Sequence, residues 1–388
     1  MKPEYFEDLC ADISNQENKL LPLCAAENVA SPFSKIPLDT FLQEKYIMGG
    51  VMEYQNHSNF VGSKKLFKIY ELLSRQCNKL YGCKYADART LSGVNAVMTL
   101  LMSLFSAGDT ILISSEECGG HGSMPKICQR LGIKTIEMPY NYDLYDFDYC
   151  QINEILNSQK IEGILICLSD IIIMPQLNRI NLPEDCVLIF DATQILGLIA
   201  TKSIENPLKW FNNDQKFILM GATHKTLPGP TCGLIMTLME LEIYGEKYCN
   251  AVINNANILG NILTTYDFKV IKVLHQYTYT HQIFLSMPQN SAEKFYNRCL
   301  DYGVSINYRT KYIYKTCGLR IGTQEISRYG WDNAEMLIIA EILRDIRDNN
   351  SFSQDISDRI NILSTKKQLC YTIEKEYFDI IYNALHYS

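Results

Sequence analysis

Apolar residues recur along this chain in two rhythms, and the change between them separates helix from strand. Leu66, Ile69, Tyr70, Leu73, Cys77 and Leu80 follow helical spacing, and Gly82 ends the run. A second helical stripe follows Gly93 through Val94, Val97, Met98, Leu100, Leu101 and Leu104. Short continuous apolar runs then appear at 111–114, 135–138, 164–168, 187–190, 217–220 and 234–237, each bounded by turn residues. Runs without polar alternation predict strands buried on both faces. Strands interleaved with helices predict an α/β fold, with a mostly parallel sheet covered by helices on both sides.

Beyond about Asn250 the rhythm changes. A helical stretch at 254–265 precedes strand-like pieces at 269–274 and 282–286, and helical patterns return at 292–302, 334–349 and from 354 onward. This predicts an amino-terminal arm (1–35), a large domain (36–250) and a smaller α+β carboxyl-terminal domain (251–388). No internal repeat or low-complexity stretch interrupts the pattern.

Composition narrows the partners. A net charge of −7, with no Lys/Arg run beyond pairs such as Lys64–Lys65, gives no footprint for nucleic acid or an anionic membrane. The first residues are acidic and polar, unlike a signal peptide, and the apolar runs are too short to span a bilayer. The expectation is a soluble, cytoplasmic protein. The fourteen cysteines are scattered without a Cys-x-x-Cys pair, which suits small core residues in a reducing compartment better than disulfides or zinc. His57, His275, His281 and His386 lack metal-site spacing, and Cys299, Cys317 and Cys370 lack an activating neighbour. All are expected to be structural, with no metal site.

In a parallel sheet, ligands bind beyond the carboxyl ends of the strands. Reading those ends gives Leu91-Ser92-Gly93-Val94-Asn95 opening a helix, Cys118-Gly119-Gly120-His121, Asp191-Ala192-Thr193-Gln194, and Thr223-His224-Lys225-Thr226-Leu227-Pro228-Gly229-Pro230. Cys317-Gly318-Leu319-Arg320-Ile321-Gly322-Thr323 lies in the carboxyl-terminal domain. Singly, such residues are ordinary: a lone Lys or Asp after a strand is usually a solvated loop residue, and Gly-Gly before a helix is usually a turn.

Together, and in this order, they resemble serine hydroxymethyltransferase, a fold-type I pyridoxal-phosphate (PLP) family. The Thr223–Pro230 motif is similar to that family's cofactor-lysine motif. Cys24-Ala25-Ala26-Glu27-Asn28 resembles its amino-terminal Ser-Glu-Asn segment, Gly119-Gly120-His121 its ring-stacking histidine, and Gly318–Thr323 its carboxylate-binding arginine. The resemblance implies PLP as cofactor, carried by Lys225 as a Schiff base, with Thr223, His224 and Thr226 positioning the lysine. It implies that Asp191, 34 positions earlier, keeps the pyridine nitrogen protonated. Ser92, Gly93 and Val94 would offer backbone N–H groups to the phosphate. His121 would stack on the ring, Gln194 would reach the ring oxygen, and Arg320 would clamp the substrate carboxylate. Tyr46 and Ala26 would lie on the substrate side. The family's site is shared across a two-fold interface, so a homodimer is expected, with Tyr46 reaching the neighbour's cofactor.

Departures from the family bear on the reaction. Met48 stands in place of its catalytic glutamate, and a thioether cannot move a proton. Ala26 replaces a serine, Gln194 a histidine, and Phe60 a tyrosine. The glycine-rich phosphate loop near 250–257 is missing, and the folate-side segment at 308–316 is trimmed. Three readings stay open: a folate-independent aldolase or transaldolase making or cleaving the Cα–Cβ bond of a glycine-, serine- or threonine-type amino acid; an aminotransferase, racemase or decarboxylase; and a catalytically idle binding protein.

Overall fold

The structure, a computed structural model, describes residues 3–45, 65–212, 214–349 and 351–386. The chain folds into two compact units, Asn28–Asn250 with Tyr371–Ser388, and Met1–Glu27 with Ala251–Cys370. The boundary between Asn250 and Ala251 falls inside one 32-residue helix, Leu234–Thr265.

The larger unit is built on five strands, β1 (Thr110–Ile113), β2 (Lys134–Glu137), β3 (Gly163–Cys167), β4 (Val187–Asp191) and β5 (Lys216–Met220). They lie in the order β2-β1-β3-β4-β5 with every pairing parallel. Parallel neighbours need crossovers, and the helices Met124–Arg130, Tyr149–Ser158 and Leu196–Ala200 lie in them. One face packs Ile111, Ile113, Leu165, Cys167, Val187 and Ile189 against Val97 and Leu101 of the helix Gly93–Leu104. Leu112, Ile164, Ile166, Leu188 and Phe190 are buried as well, as a sheet covered on both faces requires. The α/β class and mostly parallel sheet read from the apolar runs are those observed. Winding reverses between β1 and β3, so the crevice for a ligand is expected beyond their carboxyl ends.

Two local expectations give way. The run 234–237 is not a strand but the first turn of the long helix. Buried positions continue through Leu238, Leu241, Tyr248, Val252, Ala256, Leu259 and Leu263 at helical spacing, which a four-residue window cannot reveal. The segment 269–274 forms only isolated bridges, Val270 to Leu285 and Val273 to Gln276. Elsewhere the punctuation holds: Gly82 closes Phe67–Tyr81 with φ of 69°, and Ser92 caps the helix that starts at Gly93.

The smaller unit carries a three-stranded antiparallel sheet of β6 (Gln282–Ser286), β7 (Asn307–Arg309) and β8 (Gly318–Gly322), in the order β7-β8-β6. Ile283, Leu285, Leu319 and Ile321 of this sheet share one core with Phe295, Met336, Ile339, Leu343 and Ile360 of the helices Gln289–Asp301, Asn333–Asp348 and Gln354–Ser364. The amino-terminal segment joins it through Leu21–Pro22, paired in parallel with Val304–Ser305. Among the described residues no helix is long and apolar enough to cross a membrane.

Candidate active site

The carboxyl ends of β4 and β5 are tied to each other by side chains. Asp191 ends β4 and pairs across the sheet with Cys167 on one side and Met220 on the other. Its Oδ1 accepts the Thr193 N–H at 2.9 Å, which fixes the carboxylate at the strand end. The buried Cys167 thiol is held protonated, by burial first and then by the Asp191 carboxylate beside it. After β5 the chain turns through Thr223–Leu227, with His224 at φ of 67° and its N–H donating to the Leu227 carbonyl at 2.8 Å. The fully buried Thr226 hydroxyl donates to the Gln194 carbonyl at 2.9 Å and accepts the Gly197 N–H at 3.2 Å. The loop carrying Lys225 is thereby anchored to the loop that follows Asp191. From the other direction, the Asn28 amide donates to the Lys225 carbonyl and to the Tyr248 hydroxyl. Partial desolvation, and then the Lys225 charge, hold the His224 imidazole below its ordinary pKa.

The residues present fit a phosphorylated aldehyde cofactor. Ser92 caps the helix Gly93–Leu104 by accepting the Asn95 N–H at 3.2 Å, so the positive end of the helix opens at Ser92-Gly93-Val94. Gly93 has no Cβ, and the space a Cβ would take is faced by Thr193 Oγ1 at 3.5 Å and Ala222 Cβ at 3.6 Å. The Thr193 and Thr223 hydroxyls are buried, at 7% and 4% exposure, with no protein partner. Buried hydroxyls in a folded protein rarely go without a hydrogen bond, and two of them flanking an amine and a carboxylate suit a polar ligand.

His121 lies where winding reverses. It follows β1, its N–H donates to the Cys167 carbonyl at the end of β3 at 2.9 Å, and its Nδ1 accepts the Ser123 N–H at 3.3 Å. Cys167 is the strand partner of Asp191, so His121 is anchored one strand away from that carboxylate.

In the smaller unit, Arg320 sits at the middle of β8, 1% exposed, opposite Asn307 on β7. The segment 24–27 is fastened alongside. Gly322 N–H donates to the Leu23 carbonyl at 2.8 Å, and Gln324 Nε2 reaches the carbonyls of Cys24 at 2.6 Å and Glu27 at 2.5 Å. The His281 ring is 3.0 Å from the Ala25 carbonyl, a structural role. A side chain at Gly322 would overlap Ala25, which is why glycine stands there. Ala26 is thus held on the same unit as Arg320.

A serine hydroxymethyltransferase family model matches residues 2–243. The chain belongs to the serine hydroxymethyltransferase family. It is 26% identical to the serine hydroxymethyltransferase of Thermoplasma volcanium over 381 residues, covering 86% of this chain and 88% of that one. It is also 26% identical to the Picrophilus torridus enzyme over 437 residues, covering 97% and 98%. Among solved structures it resembles an L-threonine transaldolase from Pseudomonas fluorescens in its internal aldimine state, with a TM-score of 0.85 and 18% identity, covering 99% of this chain and 97% of that chain. The fold is that of the fold-type I PLP enzymes. The chain is a PLP-dependent transferase or lyase acting on an amino acid.

Within this family frame, Tyr46, Met48, His57 and Phe60 lie outside the described residues. The stretch 250–257, where the resemblance implies loss of the family's glycine-rich loop, runs inside the helix Leu234–Thr265. Among the described residues no group of three His, Cys, Asp or Glu could hold a metal. Sequence reasoning passed over Thr193, Tyr248, Gln324 and Asn307. Only Asn28 carried a signal, as the last residue of the family-like Glu27-Asn28 pair.

Proposed function

We propose that this family member makes or cleaves the Cα–Cβ bond of a glycine-, serine- or threonine-type amino acid without folate, as an aldolase or transaldolase. The observation that carries the reading is the tether between the Asp191 and Lys225 loops through Thr226, which brings an amine and a carboxylate to the ends of adjacent strands. When bound, PLP supplies an aldehyde for an amine and a ring that accepts the electron pair left at Cα. Lys225 would hold the aldehyde, and its amine would be placed to hold or move a proton at Cα. Asp191 would hold the pyridine nitrogen protonated, His121 would stack on the ring, and Gln194 would reach its ring oxygen. The N–H groups of Ser92, Gly93 and Val94 would take the phosphate, while Thr223 and His224 would set the lysine. Arg320 receives the substrate carboxylate, with Tyr46 and Ala26 on the substrate side.

Folate independence rests on Met48, whose thioether cannot replace the family's proton-transferring glutamate, and on the short 308–316 segment. A homodimer is supported by two exposed apolar stripes, Val94, Met98 and Met102 along the helix Gly93–Leu104 and Tyr5, Leu9 and Ile13 along the helix Pro3–Asn18. A reducing compartment such as the cytoplasm is supported by the cysteines, all of them free thiols.

The test begins with the visible absorption spectrum of purified protein plus PLP. A band present in wild type and absent from Lys225→Ala establishes the cofactor lysine. Glycine with an aldehyde, and no tetrahydrofolate, is expected to give a β-hydroxy amino acid. Product formation only with tetrahydrofolate would remove folate independence. Pyridoxamine formation or an inverted α-carbon would replace aldol chemistry with transamination or racemisation, and a spectrum indifferent to every amino acid would leave a binding protein.

A further inference from the structure

Glu240, on the helix Leu234–Thr265 that follows the Lys225 loop, is a buried carboxyl that the proposed chemistry does not use. Three donors from two distant segments converge on it. The Ser31 hydroxyl donates to Oε2 at 2.7 Å, while the Thr372 hydroxyl and the Ile373 N–H donate to Oε1 at 2.6 and 3.1 Å. A carboxylate accepts on both sides, where an amide could offer an oxygen to only one of them. Ser31 is itself fully buried and committed a second time, accepting the Ser34 N–H at 3.0 Å.

The end of the chain is fastened at two points to one stretch near its beginning. Tyr371, where the chain rejoins the larger unit, sets its ring 5.8 Å from that of Tyr248. Tyr248 stands about two turns beyond Glu240 on the same helix. Its hydroxyl accepts from the Asn28 amide, the group that also holds the Lys225 carbonyl. Further on, the helix Lys375–Leu385 brings the Tyr382 hydroxyl to Asp39 Oδ2 at 2.8 Å, with His386 Nε2 at 3.8 Å from the same oxygen. Residues 371–386 therefore hold the stretch 28–39 at Ser31, through Glu240, and at Asp39. Asn28, at the head of that stretch, holds Lys225.

We propose that residues 371–386 form a strap that positions the Lys225 loop, with Glu240 as the positioning residue through which it acts. The consequence for function rests on the reading of Lys225 as the cofactor lysine. A loop that presents a reactive amine must keep one main-chain path, and a buried hydrogen-bonded network is the device that fixes such a path. Ser31 lies three positions after Asn28, so slack at Glu240 reaches the Asn28 amide through little intervening chain. Tyr371 adds a second route, by packing on the tyrosine that Asn28 also holds.

The experiment follows amide hydrogen exchange by mass spectrometry in PLP-loaded wild type, Thr372→Val, Thr372→Ser and Glu240→Gln, together with the rate at which the visible band is lost on dilution. Thr372→Val keeps the shape of the side chain and removes its hydroxyl. In that variant, peptides covering 28–34 and 223–227 are expected to exchange roughly three- to tenfold faster, and PLP to leave faster by a similar factor. Peptides covering the strand 163–167 are expected to exchange as in wild type. Thr372→Ser should restore both measures, and Glu240→Gln should shift both in the same direction as Thr372→Val. Faster exchange confined to 371–386, with PLP release unchanged, overturns the proposal. So does a uniform rise that includes 163–167, because that marks a loss of overall stability. If wild type takes up no PLP, the reading of Lys225 falls, and exchange at 28–34 and 223–227 in the cofactor-free proteins still decides the strap.

Discussion

The side-chain amide of Asn28 donates to the main-chain carbonyl of Lys225 and, at 2.8 Å, to the hydroxyl of Tyr248. Its Oδ1 accepts the Val29 N–H at 2.8 Å, so each polar atom of the amide has its own partner. The proposed cofactor lysine is thus gripped through its backbone by a residue nearly two hundred positions earlier. Asn28→Asp swaps a donor for an acceptor opposite the Lys225 carbonyl. It is expected to cost about 1–3 kcal/mol of stability. PLP release, followed by loss of the visible band, should quicken in the same variant. Asn28→Ser, which keeps a single donor, should lose less on both measures.

Thr226 makes the second grip. Its hydroxyl serves the Gln194 carbonyl and the Gly197 N–H at once, in a site with no exposure to water. Thr226→Val preserves the shape and strands both backbone groups, at an expected cost of about 2–5 kcal/mol in denaturant unfolding. Thr226→Ser retains the hydroxyl and should stay within about 1 kcal/mol of wild type, reflecting one lost buried methyl. Equal losses in the two variants would locate the effect in packing instead.

Thr193 and Thr223 should behave in the opposite sense. Their hydroxyls are buried without a protein partner, so in the cofactor-free protein they contribute desolvation cost and no bond. Thr193→Val and Thr223→Val are expected to melt at or above wild type without PLP. With PLP present, each should bind it several-fold more weakly, as titration of the visible band would report. A lower melting temperature without cofactor would mean that these hydroxyls serve the protein alone.

The layout of the larger unit is legible in sequence because strands buried on both faces have no polar interruption, and because Gly82 and Ser92 carry the caps that end one helix and begin the next. The run 234–237 misleads for a physical reason: four apolar residues fit a strand or one turn of a buried helix, and only positions out to Leu263 decide between them. Asp191, Lys225 and His121 can be singled out as candidates because strand ends are where a parallel sheet presents chemistry. Asn307 and Tyr248 cannot be found that way. Their importance comes from what lies opposite them in space, a ladder partner for one and an amide from a distant segment for the other.

Glu325 sets a pH dependence of stability. It is 8% exposed, and burial pushes its carboxyl up to about 7, although the Tyr329 hydroxyl donates to it at 2.9 Å. In the unfolded chain the same group titrates near 4.5. Below that pH both states hold the proton and the group contributes no difference. As pH rises from about 4.5 to 7, the unfolded chain releases its proton while the native protein retains it, so native stability falls. Above about 7 both states are ionised and the loss is complete. A shift of this size corresponds to something on the order of 3 kcal/mol at most. Glu325→Gln keeps an acceptor for Tyr329 and cannot ionise. Denaturant unfolding from pH 4.5 to 8 should therefore decline less in Glu325→Gln than in wild type, with the variant the more stable of the two at pH 8. Parallel curves for the two proteins would show that Glu325 ionises alike in the folded and unfolded chain.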